Sequence, residues 1–327
     1  MNGQGLLQER ENYSQLRVTA LQKELANIPE LTSFPDLVIF GAGSYGRLEA
    51  SEHSDIDMFF LNTGDKENVL EPKTSQIKLF AKVIDIVNKM GFPKFSNDGQ
   101  YLEILHMQDM IHKLGGREDD YENHFTSRML LLLESKWLAR EGLYKKTIEE
   151  IVNSYFIDYP KHKDNFKPVF LMNDIMRYWK TLCLNYENKR RGRDEASIQE
   201  VKQRVKNFKL KFSRMTTCFA TIGYLSCQLE SVTENDVNKL VQLTPRQRLQ
   251  HIVTLYPKAE PKVAEILKGY SWFLGMTALP TNKLEQHFND HAGRQDAFDR
   301  ANAYGDKMFE LLQLIDSEFH VFRYLVI

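Results

Sequence analysis

Cysteine is scarce in this 327-residue chain: Cys183, Cys218 and Cys227 are odd in number and lack the paired spacing of a metal site. That argues against a disulfide framework and leads us to expect a reducing, cytoplasmic setting. An excess of one charge is missing too. With 43 basic against 44 acidic residues the formal net charge is -1, so any polyanion must be held by a local patch and not by a global field. No apolar run approaches the roughly 20 residues that span a bilayer. The opening Met-Asn-Gly-Gln-Gly-Leu-Leu-Gln-Glu-Arg has no basic region leading into an apolar stretch, so neither a secreted nor a membrane protein is expected. Internal repeats and low-complexity tracts are absent as well. What remains is 42% hydrophobic and 11% aromatic, enough for a real core in one large or two ordinary domains.

A polar helical pattern runs to about Asn27, where Pro29 and Pro35 break it before Leu37-Val38-Ile39-Phe40, which reads as a strand. Gly41 to Gly46 opens a short helical turn. Ile56 to Leu61 is a second apolar run, ended by Asn62-Thr63-Gly64-Asp65. Ser75 to Met90 carries Ile77, Phe80, Ala81, Ile84 and Val87 at helical spacing and stops at Gly91 and Pro93, and Tyr101 to His106 reads as a third strand. From Asp119 onward strand signals vanish. Leu171, Ile175, Tyr178, Leu182 and Tyr186 line one helix face, and Val201, Val205, Phe208, Phe212, Met215 and Phe219 another, with breaks at Gly192 to Glu195, Leu243-Thr244-Pro245 and Leu279-Pro280-Thr281. The expectation is an α+β protein: a mixed-sheet domain over 1–118, and a helical domain with a C-terminal tail over 119–327.

The first domain holds the residues with chemistry. Gly41-Ala42-Gly43-Ser44-Tyr45-Gly46-Arg47 follows a strand and opens a helix, where glycines bring backbone N–H groups close to a phosphate. Its GxGxxG spelling is also that of a dinucleotide fold, but no acidic residue stands about 20 positions on in a βαβ unit. Two aspartates arrive sooner. Asp55 and Asp57, at i and i+2 at the start of a strand, are expected on one face, where they converge on metal ions. Nucleotidyl transfer needs divalent cations to neutralise a triphosphate and lower the pKa of the attacking hydroxyl, and hard carboxylate oxygens suit Mg2+ or Mn2+. A bare Asp-x-Asp is ordinarily a solvated strand end; the Gly-Ser turn just upstream favours the functional reading.

Residues 38–61, Val-Ile-Phe-Gly-Ala-Gly-Ser-Tyr-Gly-Arg-Leu-Glu-Ala-Ser-Glu-His-Ser-Asp-Ile-Asp-Met-Phe-Phe-Leu, resemble the signature of the DNA polymerase beta-like nucleotidyltransferase superfamily. Within it, Gly-Arg-x-Glu before Ser-Asp-Ile-Asp, and Arg128-Met-Leu-Leu-Leu-Leu-Glu-Ser-Lys-Trp-Leu, are similar to the PII-uridylyltransferases. No His-Asp phosphohydrolase pair or small-ligand regulatory domain accompanies them. The resemblance implies that Gly43 and Ser44, with Arg47, hold the nucleotide and that Asp55 and Asp57 hold the metals. It also implies a third carboxylate from a later strand, which activates the acceptor hydroxyl. Glu103 is favoured because it lies in the third candidate strand; Asp98 reads otherwise as a turn residue beside Gly99, Glu134 as a buried partner of some arginine, and Asp109 as a helix start.

A narrower resemblance is to bacterial defence nucleotidyltransferases of the Hailong protein B type. It implies ATP or dATP as substrate, a short single-stranded (deoxy)adenylate oligomer as product, a C-terminal tyrosine as primer, here Tyr324, and an effector protein controlled by the oligomer. The alternative within enzymes is AMP or UMP transfer to a protein or small-molecule acceptor. Elsewhere, Lys202, Arg204, Lys206, Lys209, Lys211 and Arg214 crowd one helix, and Arg177 and Lys180 another; both sets read equally as phosphate contacts or as solvated faces. Trp137, Trp179 and Trp272 read as core, and His53 as a solvated loop residue.

Overall fold

The computed structural model describes residues 3–64, 72–95, 99, 102–190, 198–228 and 230–325. Asp65, Asp98, Tyr101 and the break at Gly192 to Glu195 lie outside the described residues. The fold is α+β, mostly helical with one small mixed sheet. Its first part runs α1 (Gly3–Ala26), β1 (Leu37–Ala42), α2 (Gly43–Gly46), β2 (Asp57–Asn62), α3 (Lys73–Lys89), β3 (Ile104–His106), α4 (Met107–His112), α5 (Arg117–Tyr121), α6 (His124–Glu134), β4 (Lys136–Ala139) and α7 (Glu141–Asn153).

The strands lie in the order β3-β2-β1-β4, with β1 antiparallel to β2 and β4, and β2 parallel to β3. An unbroken apolar run suits a strand covered on both faces, and every residue of β1 is buried. Leu37 and Ile39 join Met58 and Phe60 in a core with Leu21 and Leu25 of α1 and Leu79, Val83 and Val87 of α3. Each such side chain contributes on the order of 1.5–3 kcal/mol on burial. On the alternate face Val38, Phe40, Phe59 and Leu61 are buried, with Phe40 and Phe59 stacked at 5.3 Å between ring centroids.

Sequence and structure part company at three places in this region. β4 was not expected: four residues, Lys-Trp-Leu-Ala, follow an apolar helix with no glycine or proline between, so the run reads as one helical stretch. The pairing of Trp137 with Phe40 and of Lys136 with Gly41 makes it a strand. The division of the chain moves with it. One compact unit is Gln8–Phe156 and the other is Met1–Leu7 with Ile157–Ile327, instead of a boundary at 118, because β4 completes the sheet and α6 is buried along nearly its whole length. Third, β2 begins at Asp57 and not at Ile56.

The helical unit contains α8 (Val169–Arg190), α9 (Ile198–Lys209), α10 (Met215–Ser226), α11 (Glu234–Gln242), α12 (Pro245–Leu255), α13 (Glu260–Thr277), α14 (Thr281–Asn289) and α15 (His291–Phe319). A π-helical turn, Leu210–Arg214, joins α9 to α10. Of the expected stripes, Leu171, Ile175, Tyr178, Phe208 and Phe212 are buried, with Phe208 and Phe212 among Phe273, Phe288 and Tyr304, while Leu182 and Tyr186 are only half-buried. The break at Leu243-Thr244-Pro245 is a helix start, where Thr244 caps α12 with a reciprocal bond from Gln247 and Pro245 takes the first turn. Among the described residues no helix is long and apolar enough to cross a membrane.

Candidate active site

The site is built where β1 stops. Ala42 is extended, and Gly43 then adopts φ +66°, the left-handed region that glycine enters without strain, so the chain leaves the sheet into the single turn α2. A Cβ on Gly43 would lie 2.6 Å from Oδ2 of Asp57. A Cβ on Gly46 would lie 1.8 Å from the carbonyl oxygen of Glu134, so the far end of α2 rests on backbone. Hydrogen bonds from Arg47 N to Gly43 O (3.0 Å) and from Glu49 N to Ser44 O (2.8 Å) close the turn. Tyr45 anchors it from below: its ring meets Phe92 edge-on at 5.4 Å, and burial pushes its phenol well above the ordinary value.

The loop into β2 is equally determined. Ser51 and Ser54 brace each other, Ser51 N donating to Ser54 Oγ and Ser54 N to Ser51 O, both at 3.0 Å. Ala50 N donates to Ser14 Oγ of α1 at 2.8 Å, and Ile56 is buried in the core. Asp57, half-buried, pairs with Ala42 as the first residue of β2. Asp55, also half-buried, stands two positions ahead of the strand and not on it. The reason lies opposite: Gly43 turns away after Ala42, so the ladder has no partner beyond Asp57.

The other expected site residues fall in different places. Glu103 is exposed, in a bend just before β3 instead of within it. The ladder pairs Ile104 with Phe60, so β3 lies alongside the strand that Asp57 begins. Among the described residues no group of three His, Cys, Asp or Glu side chains is gathered as a metal cluster. Ser44 is half-buried in α2. Arg47 is buried; its Nε donates to Glu49 at 2.8 Å and its Nη1 pairs with Glu134. Glu134 is thus the buried arginine partner weighed above, and Asp109 lies in the first turn of α4, 3.6 Å from Lys113. Glu49 and Glu134 are the residues that sequence reasoning missed as a pair; the Gly-Arg-x-Glu spacing carried half of the signal.

Tyr324 belongs to the helical unit, in the 3-10 turn Phe322–Tyr324. It is 47% exposed, and its hydroxyl accepts a hydrogen bond from Arg323 Nη2 at 2.6 Å. Of the basic set, Lys202, Lys206 and Lys209 are exposed, Arg204 pairs with Glu200, and Lys211 donates to Asn302. Arg177 pairs with Asp174, and Lys180 is exposed. Trp137, Trp179 and Trp272 are half-buried, Trp179 edge-on to Phe219 and Trp272 edge-on to Phe208. His53 is partly exposed, 3.5 Å from Glu52.

The arrangement is a glycine turn in van der Waals contact with a carboxylate, a second carboxylate two residues away, and a third at the entrance of the neighbouring strand. Compared with known proteins, the chain matches no family model and no curated protein.

Proposed function

We propose that the chain is a metal-dependent nucleotidyltransferase using ATP or dATP, with a core of the polymerase beta-like type in residues 8–156. The observation that carries this reading is the contact between Gly43 and Asp57: a turn able to present backbone amides to a triphosphate is pressed against a carboxylate suited to the cation that accompanies it. The site's donor chemistry fits Mg2+ or Mn2+, since Asp55 and Asp57 offer hard oxygens, the motif holds no thiolate, and its one imidazole, His53, lies against Glu52. Bound there, the cation would neutralise phosphate charge and acidify the acceptor hydroxyl.

The chain's own residues then have separate tasks. The first amides of α2 lack intrahelical acceptors and, with the Ser44 hydroxyl, bind the triphosphate oxygens. Asp55 and Asp57 would hold the cation beside the reacting end of the nucleotide. Glu103, exposed beside β2, takes the proton of the acceptor hydroxyl as its oxygen bonds to the α-phosphorus and pyrophosphate departs. The product we assign is a short (deoxy)adenylate oligomer started on Tyr324, acting on an effector protein in anti-phage defence. The exposed phenol and its arginine neighbour support that assignment.

Incubation of the protein with each labelled NTP and dNTP and with Mg2+ or Mn2+, followed by separation by size, tests the reading. A ladder from dATP or ATP is expected. A single nucleotide on a protein or small-molecule acceptor replaces the oligomer with nucleotidylylation, and no incorporation under any condition removes the enzyme reading.

A further inference from the structure

Two buried arginines tie helix α6 to the elements that carry the proposed site. Near its middle, the fully buried Arg128 donates to both carboxylate oxygens of Asp119 at 2.8 Å, to the Tyr155 hydroxyl at 2.8 Å and to the Met110 carbonyl at 2.9 Å. Met110 is in α4, which directly follows β3. At the C-terminal end of α6, Glu134 pairs with Arg47, which directly follows α2. Arg47 also holds Glu49, and the side chains of Glu49 and Glu134 are 7% and 0% exposed.

We infer that Arg47 is a positioning residue: by joining Glu49 to Glu134 across the end of α6 it sets the Ser44–Gly46 amides, and it does not bind the triphosphate. The inference rests on the nucleotide site proposed above and deepens it. A guanidinium suits this task because Nε and Nη1 reach two carboxylates from one plane, whereas an ammonium is a point charge on a flexible stem. Without it, two like charges would stay buried at the end of a helix whose dipole is negative there. With only four residues, α2 has little internal cohesion to resist their separation. Gly46, seated on the Glu134 carbonyl, leaves no slack for α2 to shift without α6.

The test uses the full chain with Arg47→Lys, Glu134→Gln and the double variant. Amide hydrogen exchange across 43–49 is read without nucleotide. Transfer kinetics with Mg2+ and dATP or ATP are read alongside Asp55→Ala/Asp57→Ala. Each single variant is expected to speed exchange in the turn and to lower kcat by about 10- to 100-fold with KM little changed, the size of effect that a displaced binding element produces. The double variant should be no slower than the worse single, because both break one unit. A raised KM in Arg47→Lys with normal kinetics and exchange in Glu134→Gln would make Arg47 a phosphate ligand and overturn the inference. Unchanged exchange in both singles overturns it whatever the activity, while a wild type that transfers nothing removes the proposed function and leaves exchange to decide on Arg47. Should Glu134→Gln fail to fold, Glu49→Gln supplies the other corner.

Discussion

Oδ2 of Asp57 lies 2.6 Å from the point that a Cβ would occupy on Gly43, so the turn after β1 and the first residue of β2 pack as one body. Gly43 therefore has no room for a side chain while the Asp57 carboxylate is in place. Gly43→Ala introduces a left-handed alanine, which costs roughly 1–2 kcal/mol, and drives its methyl into the carboxylate. Urea denaturation should show that modest loss, while nucleotide incorporation falls much further. Activity retained in proportion to stability would mean that the contact has no functional role.

Asp55→Ala with Asp57→Ala is expected to abolish transfer and to leave far-ultraviolet circular dichroism and the urea midpoint near wild type. Both carboxylates are only half-buried and their removal relieves like-charge repulsion. Glu103→Gln should lower the rate by about 10²- to 10⁴-fold, the usual contribution of a positioned general base. Because Glu103 is exposed, its stability should be unchanged. Residual transfer by the double aspartate variant at high metal concentration would dismiss the site.

Mass spectrometry of the C-terminal peptide after incubation with dATP or ATP should find a nucleotide on Tyr324, and Tyr324→Phe should lose product formation unless a primer is added. Arg323 already donates to the phenolic oxygen and is placed to offset negative charge there. An unmodified peptide alongside normal product assigns priming elsewhere.

Arg128→Met is expected to destabilise the sheet unit by about 3–5 kcal/mol, since it takes the countercharge from the Asp119 carboxylate at a position with no solvent access. Burial by itself would lower the proton affinity of the Arg128 guanidinium, but Asp119 and Tyr155 outweigh it and the pKa is raised, so the guanidinium stays charged at any accessible pH. Replacing Asp119 with leucine in the same chain should recover much of the loss. An Arg128→Met midpoint equal to wild type would contradict the bidentate pair.

Burial pushes the Cys218 and Cys227 thiols up to about 12 from an ordinary 9.0. A raised folded-state value stabilises the fold fully below about pH 9, and this contribution is lost as the pH climbs from about 9 towards 12. Thermal midpoints should therefore fall above pH 9, with a shallower fall in Cys218→Ala. Iodoacetamide at pH 8 should leave both thiols unmodified until the chain unfolds; rapid labelling of Cys218 in the native protein would show that it is not enclosed.

The sequence by itself determined what depends on near neighbours. The apolar run of β1, the glycine turn that follows it, the apolar run of β2, the amphipathic stripes of α8 and α9 and the Thr-Pro start of α12 all follow from periodicity and turn chemistry within a few residues. Tertiary structure alone decided that Lys136–Ala139 is a strand, because only β1 can complete its hydrogen bonds, and that the unit closes at Phe156. It took Asp55 off the ladder and left Glu103 outside β3, since the pairing ends where a partner strand ends. It also gave Arg47 to Glu134, 87 positions away. A buried charge takes the partner that the fold brings within reach, and that partner leaves no mark in the local pattern.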